Sequence, residues 1–256
     1  MLSMSFLTLQ MSKLDTNINT FKKSIESTIR AISKRSNISI LFGSDTKNSD
    51  KNVNLPSINK KNLNKSKLSI RGKSDSASLV NRYHDKIIHK ELSPKNLETK
   101  VIFDEMEFLR CELLGSLKYP GIKKNLLDFD LEYIKEKINE NTKLTKSETF
   151  KLCLKNNILG LNLSNELYKI CDPIINSINK ALKNEKMHIL NKVSDQKEFS
   201  IEVLKLINSV IDKHINNEED RNENNDANDE EQENQEQEIK NQAEEYQSFE
   251  ITDTAE

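Results

Sequence analysis

Apolar residues return every three or four positions from Leu14 through Ile18, Phe21, Ile25 and Ile29 to Ile32. This places one stripe along an amphipathic helix over residues 13–35. Ile38-Ser39-Ile40-Leu41-Phe42 alternates briefly and stops at Gly43, which predicts a short strand. Residues 44–74 are rich in Ser, Asn and Lys, with isolated apolar positions and no sustained period, and read as a long basic loop. A run of helices is predicted next. Asp75 or Ser76 caps one that carries Leu79, Tyr83, Ile87 and Ile88 on its inner face. Ser93-Pro94 starts another, with serine as the cap and proline in the first turn. It continues through Leu97, Val101, Met106, Leu109 and Leu113 to Leu117 and ends at Tyr119-Pro120-Gly121. Further helices are predicted at about 122–140, 145–159, 164–183 and 195–214, the last with Asp195 and Glu198 as a capping box. Pro173 is expected to start or kink a helix rather than lie inside one.

The predicted fold class is mainly α: a multi-helix domain with a small β element near the N-terminus, followed by a disordered acidic tail. Charge sharpens that division. The chain of 256 residues has 39 Lys+Arg and 41 Asp+Glu, a net of −2. Asn217 to Glu256 holds 16 acidic and 2 basic residues, leaving 37 basic and 25 acidic in residues 1–216, so a body of +12 precedes a tail of −14. Only three of the 70 Leu, Ile, Val and Phe residues (Ile239, Phe249, Ile251) follow Asn217. The body can bury a core and the tail cannot. The expected organisation is an extension over 1–12, an amphipathic helix, short strand and basic loop over 13–74, a helical domain over 75–216 and an acidic linker over 217–256.

Several classes fall away. No apolar run approaches the roughly 18–20 residues of a bilayer span. Met1 to Met11 lacks a basic leader and a small-residue cleavage site, and reads as neither signal peptide nor anchor. Cys111, Cys153 and Cys171 are too few and too far apart for a disulfide framework, which fits a reducing cytoplasm.

Candidate chemistry is thin. Gly72-Lys73-Ser74 resembles the end of a phosphate-binding loop, but Lys67 stands where its first glycine belongs, and a basic turn before a helix cap is the better reading. His84 and His89, five residues apart, would sit about 140° apart on one helix, too far round to share a metal. Glu107 and Arg110 can pair across a helix surface. A solvated ion pair is the default, and a buried contact with the His84 helix the second choice. No Gly-x-Ser-x-Gly, HExxH or D-x-S-x-S motif is present, so neither catalytic nor metal-binding residues are assigned.

One ordered series of residues is more specific. It runs Arg71-Gly72, Asp75, Ser78-Leu79, Arg82, His84-Asp85, His89 and Pro94, then Phe103, Glu107, Arg110, Glu112 and Gly115. Phe42-Gly43-Ser44-Asp45 and Leu55-Pro56 precede it, and Gly121-Ile122 and Asn125-Leu126 follow. Together these resemble the N-terminal region of the CobT family, a subunit of the aerobic ATP-dependent cobaltochelatase, over about residues 38–215. The acidic segment stands where that family has one. A von Willebrand factor A-type domain follows it in the family, so this chain is expected to be either the front portion of a longer subunit or a shortened relative.

The resemblance implies a supporting role in inserting Co²⁺ into hydrogenobyrinic acid a,c-diamide during cobalamin synthesis. The expected partners are a AAA+ ATPase subunit and a large corrinoid-binding subunit, in a hetero-oligomeric ligase that forms nitrogen–metal bonds. ATP, Mg²⁺ and Co²⁺ belong to the complex, with no cofactor expected on this chain. Two other readings compete. A basic arm over residues 12–74, with 14 basic and 4 acidic residues, could bind nucleic acid, but only Phe21 and Phe42 are there for base stacking. Alternatively, the chain could be an adaptor through which a AAA+ motor remodels another client.

Overall fold

The computed structural model describes residues 2–43, 51–160 and 167–222. For residues 2–12, 167 and 212–222 the description is of backbone alone. Helix α1 spans Leu2–Ser33. Strands β1 (Ser39–Phe42) and β2 (Asn52–Leu55) pair in parallel, with Ser39 opposite Asn52 and Phe42 opposite Leu55. A 3₁₀ turn at Lys60–Asn62 leads into α2, Leu63–Tyr83. Then come α3 (Lys86–Leu92), α4 (Leu97–Lys118), α5 (Pro120–Asn139) and α6 (Lys146–Leu159). The described part ends with α7 (Leu167–Ile170), α8 (Ile175–Asn191) and α9 (Gln196–Asn222). None of the described helices is long and apolar enough to cross a membrane.

Helix α4 is the axis. Ile102, Phe103, Met106, Leu109 and Leu113 pack into the main core with Phe150, Ile178, Phe199, Val203 and Ile207 from α6, α8 and α9. Its opposite side meets α2 and α5 in a second cluster through Cys111, Leu79, Val80, Ile122 and Leu126. A helix enclosed on both sides needs partners for every polar group it carries. An N-terminal lobe joins Phe21, Ile25 and Ile29 of α1 to Val53 and Leu55 of β2 and to Ile70 and Ala77 of α2.

The mainly helical class and small N-terminal β element are as the sequence predicts. Several boundaries differ, each for a physical reason. Of the basic loop expected over 44–74, residues 52–55 are instead strand β2, 60–62 the 3₁₀ turn and 63–74 the first half of α2, while 56–59 remain a loop. The helical period of α2 escapes notice because its inward face carries Gly72, Ser74, Asp75, Ser78 and Asn81 beside few large apolar residues. Asp75 therefore lies inside a helix and caps nothing, and Gly72-Lys73-Ser74 is helical rather than a turn. Ile87 and Ile88 belong to the separate helix α3, whose cap is Asp85.

Asn96, not Ser93, caps α4, accepting from Thr99 N at 2.9 Å. The stretch read as one helix over 164–183 is divided around Pro173, where Asp172 Oδ1 accepts from Ile174 N. At Thr145 a full capping box opens α6. Asp195 accepts from Glu198 N at 3.0 Å before α9. Residues 217–222 continue the α9 backbone; the rest of the predicted acidic tail lies outside the described residues, as do Ser44 and Asp45.

Candidate functional site

The motif residues meet where α2, α3, α4 and α9 converge. At its centre Arg110 grips Glu107 with both ends of its fork. Nε donates to Oε2 at 2.8 Å and Nη2 to Oε1 at 2.7 Å. The same guanidinium donates to Tyr83 O at 2.7 Å, Gln196 Oε1 at 3.1 Å and Val193 O at 3.3 Å. It thus ties the end of α2 and the start of α9 to the middle of α4. His84 Nδ1 stands 3.1 Å from Glu107 Oε1. The side chains of His84, Glu107 and Arg110 are 7%, 1% and 2% exposed. Burial alone would push the Glu107 carboxyl up, but the hydrogen bonds from Arg110 and His84 hold it below its usual range. As an ionised acceptor it fixes the His84 Nδ1 as N–H.

Asp85 extends this network. Its side chain caps α3 through Ile87 N and Ile88 N, while its backbone N–H and C=O pair with the Gln196 amide, each at 2.8 Å. His89 lies on α3, stacks on Phe103 with ring centroids 4.8 Å apart, and places Nε2 2.8 Å from Asp104 Oδ1. Lys100 donates to the other Asp104 oxygen. The His84 and His89 rings meet edge-on, 5.0 Å apart. The single-helix geometry expected for them fails because the chain turns at His84, between α2 and α3. The two imidazoles are neighbours, each beside its own carboxylate. Among the described residues no group of three or more His, Cys, Asp and Glu could hold a metal ion.

A second buried charge cluster sits one turn further along α4. Glu112 accepts from Ser76 Oγ and Lys155 Nζ, both at 2.7 Å. Lys155 also contacts Asp130 at 2.5 Å, and Lys151 bridges Glu105 and Glu112. Burial raises the Glu112 carboxyl, and Lys151 and Lys155 outweigh it, leaving it at about 2. Asp75, on α2, accepts from Asn125 Nδ2 of α5 at 2.8 Å; burial pushes its carboxyl up to about 6 against the pull of Asn125 and Arg71.

The remaining motif positions are also packing devices. A Cβ at Gly72 would stand 2.3 Å from Phe129 Cβ, so α2 and α5 approach there only over glycine. A Cβ at Gly115 would stand 2.4 Å from a Leu79 methyl group, where α4 crosses α2. Arg82 Nη1 donates to Ile32 O at 2.9 Å and ties α2 to the end of α1. Arg71 lies over the Phe21 ring at 5.6 Å.

The default reading of Glu107 and Arg110 as a solvated pair is therefore wrong, and the buried contact with His84 is what forms. Sequence reasoning missed Gln196, Asp104, Asp130, Lys151 and Lys155. Lys155 carried a signal, since it closes the apolar run Leu152-Cys153-Leu154 and is buried with it. Gln196 carried none, because its partners, the Asp85 backbone and the Arg110 side chain, are 111 and 86 residues away.

A cleft lies elsewhere. It holds about 300 Å³ between Pro56, Asn59 and Ser66 on one side and Phe129, Glu132 and Glu136 on the other. Of the motif positions, Pro56 alone is in its lining. The motif network ties α2, α3, α4 and α9 together. A family model described as "Cobalamin biosynthesis protein CobT" matches residues 15–256. No solved structure matches the chain.

Proposed function

The chain belongs to the CobT family of cobalamin biosynthesis proteins, and from that premise we propose that it is a non-catalytic subunit of an ATP-dependent cobaltochelatase. It acts as a helical scaffold. A AAA+ ATPase subunit docks on it, and it couples that ring to the large subunit that holds the corrinoid. Co²⁺ is the substrate metal and ATP with Mg²⁺ is used by the partner, so neither needs a ligand set on this chain.

The observation that carries this reading is the placement of the family-motif residues. Arg71, Gly72, Asp75, Arg82, His84, Asp85, His89, Glu107, Arg110, Glu112 and Gly115 all serve helix packing, capping or buried ion pairing. A chain whose distinguishing residues specify its own shape contributes through its surface. A buried network that must be complete to be tolerated favours one helix arrangement over others.

The test is genetic and chemical. Deleting the coding sequence should halt cobalamin synthesis with accumulation of metal-free hydrogenobyrinic acid a,c-diamide. Cobalt-containing corrinoid formed at the parental rate in the deletion strain would overturn the proposal.

A further inference from the structure

The cleft between the approach to α2 and helix α5 has the chemistry of a receptor for a side chain. On the α2 side Ser57, Asn62 and Ser69 line it, and their hydroxyl and amide oxygens accept hydrogen bonds. On the other side α5 presents Phe129, Glu132, Tyr133 and Glu136. Glu132 and Glu136 stand four residues apart and so share one face of the helix. Leu68 and the two aromatic residues supply the apolar surface.

The aromatic residues are held from outside the cleft. Tyr133 OH donates to Glu148, which leaves the ring to face the cleft. Lys137 Nζ lies 5.4 Å over that ring, so its π-surface already takes a cation. Behind Phe129 stands Gly72 of α2, where a Cβ would overlap the Phe129 Cβ and Cγ. The motif glycine thereby lets Phe129 seat against α2.

Charge sets the sign of the occupant. The lining holds two carboxylates and one ammonium, that of Lys65, so it is net negative on a body that is net positive. Lys65 Nζ is 2.5 Å from Glu136 and 3.8 Å from Glu132, on a side chain 44% exposed. Ion pairs this exposed are screened by water and cost little to exchange. Lys65 is a point charge on a flexible stem, and a cation of better shape can take its carboxylates. The volume of about 300 Å³ is at the lower end for ligand pockets and suits one long side chain rather than a whole cofactor.

We infer that the cleft is a docking socket for an arginine side chain carried by a partner protein. A guanidinium is planar, stacks on aromatic rings and forks onto carboxylates, the combination that Phe129, Tyr133, Glu132 and Glu136 offer together. Its remaining N–H donors match the oxygens of Ser57, Asn62 and Ser69. A lysine ammonium would only repeat what Lys65 does. This docking role goes beyond the chelatase reading and is independent of it, and its probe contains no chelatase subunit.

Amide chemical shifts of the full chain, titrated with the capped tripeptide acetyl-Gly-Arg-Gly-amide, test it. Saturable shifts are expected at Ser66, Ser69, Glu132 and Glu136. Citrulline in place of the arginine, which keeps the shape and removes the charge, should weaken binding tenfold or more. Lys65→Ala should bind the arginine peptide severalfold more tightly, because the internal competitor is gone. Glu132→Gln/Glu136→Gln should bind it tenfold or more weakly, with a melting curve confirming that the variant is folded. No saturable shift at these residues, or equal affinity for the arginine and citrulline peptides, would overturn the socket. Equal affinity for a lysine peptide would overturn its assignment to arginine, and weaker binding by Lys65→Ala would overturn the exchange with Lys65.

Discussion

Replacing Arg110 by Met removes a guanidinium that satisfies five acceptor contacts on three elements while keeping much of the aliphatic bulk. The Glu107 carboxyl, 1% exposed, is left with only His84 and the Cys111 thiol as partners. Tyr83 O and Val193 O lose a charged donor. Breaking a buried ion pair from one side costs about 3–5 kcal/mol, most of it the uncompensated charge. Each orphaned carbonyl adds to that or recruits water. A loss of about 3–5 kcal/mol lowers the melting temperature by about 6–20 °C in a domain of this size. Urea unfolding followed by far-UV circular dichroism measures it, with the denaturant slope expected to stay constant. The double variant Glu107→Leu/Arg110→Met, which removes the stranded charge as well, should be more stable than Arg110→Met by at least about 1 kcal/mol. A single-variant cost under about 1 kcal/mol, or a double variant less stable than the single, would refute the buried-network account.

Other predictions follow from the same geometry. Asp75 has a folded-state carboxyl raised to about 6, so its contribution is fully present below the unfolded value near 3.9 and is lost as pH rises through 6. Asp75→Asn should therefore stabilise the protein above pH 6, by up to about 3 kcal/mol. An unfolding free-energy difference that stays constant from pH 4 to 7.5 would contradict the burial cause. Glu112 is depressed to about 2, so its contribution is present above the unfolded value near 4.3 and is lost as pH falls from there toward 2. Glu112→Gln should flatten that acid limb in a pH series of unfolding curves, and a limb of unchanged steepness would exclude Glu112 as its source. Gly72→Ala should cost about 1–3 kcal/mol through its clash with Phe129, whereas Gly121→Ala, with no atom within 4 Å of the new Cβ, should be neutral or slightly stabilising. Equal melting temperatures for the two alanine variants would show that α2 and α5 do not approach as described.

The legibility of the fold followed the size of the buried side chains. α1 and α4 announce themselves because Ile18, Phe21, Ile25 and Ile29, or Val101, Met106, Leu109 and Leu113, repeat at helical spacing and are buried as that spacing requires. α2 hides because glycine and serine, not large apolar residues, form much of its contact face. The break at His84 was invisible to periodicity, since the apolar positions of α2 and α3 continue one another around the wheel. What stops the helix is tertiary. Arg110 takes the Tyr83 carbonyl, and Gln196 holds the Asp85 backbone. The motif residues could be named from their order along the chain, but their assembly could not. Glu107, Arg110 and His84 look like surface groups until a helix enclosed on both sides removes the solvent.

Association with the AAA+ ATPase subunit tests the central claim most directly. The purified chain and ring subunit would be mixed with and without ATP and sized by light scattering after gel filtration. A scaffold subunit predicts a stable ATP-dependent complex, retained when the motif network is intact and lost in Arg110→Met under conditions where that variant is unfolded. Separate elution of the two proteins with ATP present would contradict it.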